Sequence, residues 1–521
     1  ARRSAGDHRR HQAAMSGPEE DVSDKGGGKG GAGGDDSKGG EEFTPLPVLE
    51  KVEVGGKTYK PLADGQYDAI VLGTGLTECI MSGLLSKKGM KVLHLDRNGY
   101  YGAESASLNL TNLWRKFMKP KEGEERKDME PPPELFEDLG QNRDYNVDLI
   151  PKFIMADGAL VKILIYTGVN NYLDFKQIAG SYVWKSGGGV HKVPATEVEA
   201  VSTGLMGFFQ KRKFRNFLQF VAKADPDDES TWDGFDLKAR TMAELYDKFG
   251  LDENTQDFTG HAFAMFTDDS YLAKPAMETL KAVKLYATSL DRYGTSPFIY
   301  PIYGIGGLPE GFSRLCAIHG GTFILNKSVE EVIFDDAGVA IGVRSGEGDD
   351  AEVAIAPIVV GDPSYFPERL VRKTGQVIRS VCIFDHPVAK LKDVHSAQVI
   401  FPQKQLGRGH DVYLSIMGNA HCVSAKDKYI AIASTTVETK APLDELRPAF
   451  ELLGKLTLRF DNVLDTFEPV SDGRDNKCFI SKSFDATSHF ESVAADVLDI
   501  YTRVTGETLD LDAAAGGAGG K

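Results

Sequence analysis

The chain has 521 residues, 41% of them hydrophobic, which is enough to bury a substantial core and suggests two or three domains. Its formal net charge is -16 and its pI about 5.3, so nucleic acid is excluded as an expected partner on electrostatic grounds. Five scattered cysteines form no C-x-x-C pair, and no apolar run reaches about 18 residues, which argues against a disulfide framework, a zinc site and a spanning helix.

The first segment, residues 1–64, opens with a glycine- and charge-rich stretch poor in apolar residues, and the whole is expected to be disordered. Met15 offers a start site within it, with the residues before it an upstream extension. No apolar signal-peptide region is visible. From Tyr67 the pattern changes. YDAIVLGTGLTECIMSGLLSKKGMKVLHLDRN reads as an apolar strand over 68–72, a glycine turn, a helix over 76–88 and a second strand over 91–95. That order is the opening of a dinucleotide-binding fold. Gly73 and Gly75 supply the first two glycines of G-x-G-x-x-G, and Asp96 falls where a ribose-binding acid is expected.

The third glycine is missing. Glu78 stands there, in the first turn of the helix, where the dipole favours an anion. A glutamate satisfies that site itself and repels a pyrophosphate. The residues favour a retained fold with an emptied cofactor pocket, so no cofactor and no metal are expected. No nucleoside-triphosphate loop, H-E-x-x-H or G-x-S-x-G motif appears, and no catalytic group is assigned.

KPKEGEERKDMEPPPELFEDLG, further on, reads as a solvated loop. Residues 195–293 read as helices. Phe214, Phe217, Leu218 and Val221 repeat at helical spacing, Thr241 and Glu244 form a capping box, and Met277, Leu280, Val283, Ala287 and Leu290 make one apolar face. His261, on an apolar helix, reads as a hydrogen-bonded core residue. Strand signals return after 298, with IRSVCIFDH and YIAIASTTVE among them, and AFELLGKLTLRFDNVLD reads as a late helix. The expected architecture is an α/β, flavoprotein-like domain over 65–190 plus 294–504, a smaller all-helical domain inserted over 191–293, and a flexible tail over 505–521.

Several long motifs then resemble one family. YDAIVLGTGLTECI, LDRNGYYGAESAS, RDYNVDLIPKFIMADGALVKILI and YGTSPFIYPIYGIGGLPEGFSRLCAIHGGTFILNK are similar to Rab GDP-dissociation inhibitors, which group with the Rab escort proteins. The likeness runs from Tyr67 to Tyr501. It implies a flavoprotein-like fold without flavin and a chaperone, not an enzyme. Such a protein binds prenylated, GDP-bound Rab GTPases, slows GDP release, lifts Rabs from membranes and recycles them. It is expected to be a cytoplasmic monomer that touches membranes transiently. Two alternatives remain: an escort protein presenting Rabs for geranylgeranylation, whose usual long insertion is absent from this compact region, and a flavin-dependent oxidoreductase of the amine oxidase type.

The resemblance also implies site residues. Tyr101, Arg314 and Thr322 match Rab-contacting positions. Gly307 stands where the family usually has a contacting glutamate, with Glu310 three residues on, and Ile324 stands where it often has methionine. Arg292 and the following YGTSPF, including Phe298, match a membrane-recruitment loop. A geranylgeranyl chain of about 20 carbons loses on the order of 0.8 kcal/mol per methylene on leaving a bilayer, so it needs an apolar shelter. Leu205, Met206, Phe209, Phe217, Phe220, Met277 and Leu280, in the helical segment, are candidate walls; their other reading is ordinary core.

Overall fold

The computed structural model describes residues 46–511 apart from 121–124, 151, 188, 196–198, 200–203, 205 and 392–393. At its centre is a five-stranded parallel sheet, ordered Thr322–Ile324, Val92–Leu95, Ala69–Leu72, Val359–Gly361 and Cys478–Ile480. Ala69–Leu72 and Val92–Leu95 are buried at every position, as strands covered on both faces should be. The helix Leu76–Lys87 follows the first of them and packs on Gly307–Ile318. Gly83 permits that approach: a Cβ there would stand 3.2 Å from the Leu315 side chain.

A second five-stranded sheet joins Val52–Val54, Lys57–Gln66, Glu352–Ile355, Ala340–Ser345 and Glu331–Phe334. This corrects the expectation that residues 1–64 are disordered throughout. Gly55 and Gly56 take φ of 58° and 74°, the left-handed values of a tight hairpin turn, and Val52 and Leu62 are buried. The segment is polar on average, yet Glu352–Ile355 runs parallel to it and completes its pairing.

A seven-stranded sheet carries the rest of the α/β part, from Gly189–Lys192 at one edge to Leu458–Pro469 at the other. The late helix is shorter than expected. It spans Arg447–Leu453, Gly454 follows with φ 79°, and Leu458–Pro469 is a strand antiparallel to Val371–Phe384. Its apolar residues matched helical spacing only as far as Leu453; beyond it, β-formers such as Phe460, Val463, Thr466 and Phe467 pair with the neighbouring strand. The charged segment read as a loop contains the helix Pro133–Leu139, anchored by buried Leu139.

The helical part comprises Phe208–Lys223, Met242–Phe249, Glu253–Asp257 and Ala276–Tyr293, with a wide π-turn over Phe258–Phe263. Thr241 and Glu244 make the capping box, and Gly250 ends that helix in the left-handed conformation. On Ala276–Tyr293 the buried stripe runs through Met277, Leu280, Val283, Tyr286 and Ser289. Ala287, expected on that face, is exposed, because Tyr286 offers more area to bury than Ala287 and Leu290 stays half-buried.

His261 joins the two parts. It is buried, its Nδ1 lies 2.8 Å from Asp411 Oδ2 and its Nε2 lies 3.4 Å from Asp269 Oδ1. Burial opposes the imidazolium, but the two carboxylates outweigh it and push its pKa up to about 10. All five cysteines are free. No helix among the described residues is long and apolar enough to cross a membrane.

Candidate functional site

The glycine turn comes first, because it decides whether a dinucleotide fits. Gly73 adopts φ +93°, and Gly75 leads into the helix without a side-chain cap. The Glu78 carboxylate folds back over that turn: a Cβ on Gly75 would stand 2.5 Å from Glu78 Oε2. Glu78 is only 3% exposed and accepts a 2.6 Å hydrogen bond from Ser481 Oγ. Burial, with Asp362 nearby, pushes its pKa up to about 8.

Asp96 is equally engaged. Its Oδ2 accepts from Thr74 N at 2.7 Å and Thr74 Oγ1 at 2.6 Å, and its Oδ1 accepts from Asn98 N at 2.7 Å and Asn98 Nδ2 at 2.8 Å. Around these residues is a cleft of about 280 Å³, below the roughly 300–1,000 Å³ of ligand pockets. The residues present do not fit a dinucleotide: the Glu78 carboxyl group takes the phosphate position, and the ribose acid is spent on its own turn.

A pH prediction arises here. Folded Glu78 holds its proton to about pH 8, whereas the unfolded side chain loses it near 4.5. The stability it contributes is therefore full below about pH 4.5 and is lost as pH rises through about 8. Urea unfolding at about pH 5 and about pH 8 should show a smaller drop in Glu78→Gln than in the wild type. Equal drops would mean that Glu78 is ionised in the native state.

The second site is a concavity of about 880 Å³ lined by Tyr101, Gly307 and Glu310 together with Tyr303, Arg115 and Lys116. Its floor is fixed by buried Asp148, which accepts hydrogen bonds from Ser107 Oγ, from Tyr300 OH and, at 3.1 Å, from Ile305 N. Burial pushes Asp148 up to about 7, against the pull of these donors. Gly306 must be glycine, since a Cβ would meet Ser107 N at 2.7 Å. Tyr101 rests edge-on against Phe323, with ring centroids 5.9 Å apart.

Gly307, Glu310 and Arg314 sit at i, i+3 and i+7 on one helix and so share a face. Arg314 is exposed, and its guanidinium lies over the Tyr172 ring at 4.6 Å. Thr322 and Ile324 do not join this surface. They flank Phe323 on a strand, so they turn to the face opposite the one that meets Tyr101, and Ile324 packs against the buried cluster of Leu93 and Leu95.

Sequence reasoning missed Tyr303 and the basic wall. Tyr303 is 63% exposed with φ +74°, and the glycines after it were the only signal of a tight turn. Arg115, Lys116, Arg126 and Lys127 lie in or beside the stretch read as solvated loop, yet all four line the concavity.

The remaining expected residues fare differently. Met206, Phe217, Phe220, Met277 and Leu280 are buried, but Phe209 is 79% exposed; Leu205 lies outside the described residues. Phe217 packs on Tyr246 at 5.8 Å and Phe249 at 5.6 Å, and Phe220 on Phe249 at 5.3 Å. These rings fill the space between the helices, as ordinary core does. Arg292 is tied to Asp157, with Nε 3.0 Å from Oδ1. Phe298, expected in a recruitment loop, is fully buried in the strand Phe298–Pro301, between Phe153 and Tyr286.

Asp257, His261 and Asp269 gather ligand atoms within 4.8 Å of one another. Lys404 already supplies the cation, with Nζ 2.9 Å from Asp257 and 3.3 Å from Asp269.

Against known proteins, residues 63–515 match the family model described as GDP dissociation inhibitor. The chain is 51% identical over 448 residues to a probable secretory pathway GDP dissociation inhibitor 1 of Schizosaccharomyces pombe, covering 86% of this chain and 98% of that one. It is also 51% identical over 449 residues to a guanosine nucleotide diphosphate dissociation inhibitor of Arabidopsis thaliana, covering 86% and 97%. The crystal structure of a Rab GDI from Plasmodium falciparum superposes with a TM-score of 0.79 at 45% identity, over 85% of this chain and 99% of that one. An oxidoreductase from Methanosarcina mazei shares the fold alone, with a TM-score of 0.51 at 13% identity over 83% and 99%.

Proposed function

This chain belongs to the GDP dissociation inhibitor family, and from that premise we propose that it binds prenylated, GDP-bound Rab GTPases. It slows their GDP release, extracts them from membranes and returns them, cycling as a monomer between cytoplasm and membrane. The observation that carries this reading is the open concavity where Tyr101, Gly307 and Glu310 meet, with Arg314 on the same helix face. The Plasmodium falciparum relative, named for Rab, supports the partner.

The mechanism follows from the geometry. A rigid floor built on Asp148 presents aromatic and charged groups without reorganisation on binding, which lowers the entropic cost of docking. Arg314 and the tyrosines are of the residue types that dominate interface energetics. Opening the helical part for a prenyl chain requires Phe217 and Phe220 to part from Phe249, with the lipid replacing their mutual contacts.

Release of fluorescent GDP from a prenylated Rab tests this reading. Stoichiometric protein should slow release, and an unchanged rate would sink the proposal. Gly307→Glu sharpens it. A Cβ at Gly307 would press on the Leu173 side chain at 3.0 Å, a flexible neighbour, and an acid in the first turn suits the helix dipole. The variant should slow release at lower concentration. No gain would mean that the missing carboxylate contributes nothing to this surface.

A further inference from the structure

The helix Phe208–Lys223 has two unlike faces. Phe214, Phe217, Phe220 and Val221 are buried. Phe208, Arg212 and Arg215, at i, i+4 and i+7, share the opposite face. Phe208 is 83% exposed and Phe209 79%, and their rings meet edge to face at 5.7 Å. Two adjacent phenylalanines in water at a helix start are costly, and the core they adjoin has no use for them.

The charge around them is unlike that of the chain. FFQKRKFRNFLQFVAK carries five basic side chains and no acidic one, within a protein of net charge -16. Lys213 reaches back to Gly250 O at 2.8 Å and so braces the helix against its neighbour. The nearby Asp252 carboxylate is turned into its own helix cap, accepting from Thr255 N at 2.9 Å and Thr255 Oγ1 at 2.6 Å, and does not neutralise this face.

We propose that the first turns of this helix are a membrane-contact element for an anionic lipid surface. Phe208 and Phe209 enter the boundary between headgroups and acyl chains, while Arg212 and Arg215 pair with lipid phosphates and carboxylates. Exposed aromatics beside a cationic face are what an interfacial helix requires, and each basic residue near such a surface strengthens binding severalfold. Phe209, set aside as a prenyl wall by its exposure, thereby acquires a role. The inference rests on the proposed work at membranes, but its vesicle measurements contain no GTPase, so the two fail separately.

The full chain is sedimented with vesicles of phosphatidylcholine alone or with roughly 30% phosphatidylserine, an anionic content that gives a surface potential attractive to basic residues. The wild type should partition onto the anionic vesicles roughly tenfold better, and less so at high salt. Phe208→Ser with Phe209→Ser, and separately Arg212→Ser with Arg215→Ser, should each reduce this roughly fivefold or more at an unchanged melting temperature. Phe209→Trp gives a second reading: its emission should shift to the blue on anionic vesicles only. Equal binding to both vesicle types, or by wild type and both variants, overturns the proposal. So does loss of Rab extraction in the phenylalanine variant with vesicle binding intact, which would assign the pair to the prenyl chain, or dispersal of a dimer, which would assign it to a second copy.

Discussion

Arg314→Ala should weaken binding to a GDP-loaded Rab by about 2 kcal/mol or more, roughly thirtyfold in Kd. The side chain is exposed, so its removal leaves no cavity and the fold should be unaffected. Its guanidinium is held over Tyr172, which limits the rotamers it must give up on binding. It stands two turns along the helix from Gly307, beside the concavity. An arginine so placed keeps five donors for a carboxylate or carbonyl of the partner. Calorimetric titration of the variant with a prenylated Rab reads the effect. An affinity within twofold of wild type would remove Arg314 from the docking surface.

Phe217→Ala should destabilise the chain by about 3–5 kcal/mol, the range for deleting a buried phenylalanine. Phe217 is fully buried and touches the rings of Phe214, Tyr246 and Phe249, so no neighbour is free to collapse into the space. Thermal unfolding followed by circular dichroism measures it. A prenyl chain entering between these helices would offset the loss, so adding prenylated Rab should raise the variant's melting temperature more than the wild type's. A variant as stable as wild type would show that Phe217 is not core.

The central fold was legible because it rests on local signals. An apolar strand, two glycines, a helix and a second strand are written in order between Tyr67 and Asp96, and Glu78 announced the changed turn. The Val52–Gln66 hairpin was hidden by its polar average, since its partner strand lies nearly 300 residues away. The Leu458–Pro469 strand was hidden by helix-like spacing that stops at Gly454. For the site, Gly307, Glu310 and Arg314 were legible only through the family resemblance, and the helix Gly307–Ile318 is what sets them on one face. The placement of Thr322 and Ile324 was not legible, because the alternation that turns them from Tyr101 depends on where Phe323 packs. Phe298 looked like part of a loop, yet the pairing of Phe298–Pro301 with Phe175–Gln177 buries it. Tyr303 escaped notice because its exposure follows from a left-handed backbone, which composition does not encode.

The central claim meets its most direct test in extraction. Membranes carrying a prenylated Rab, loaded with GDP or with GTP, are incubated with the purified protein and pelleted, and the supernatant is assayed for Rab. The account predicts that Rab appears in the supernatant from the GDP-loaded membranes and stays in the pellet from the GTP-loaded ones. Rab retained on both, or released equally from both, would contradict it.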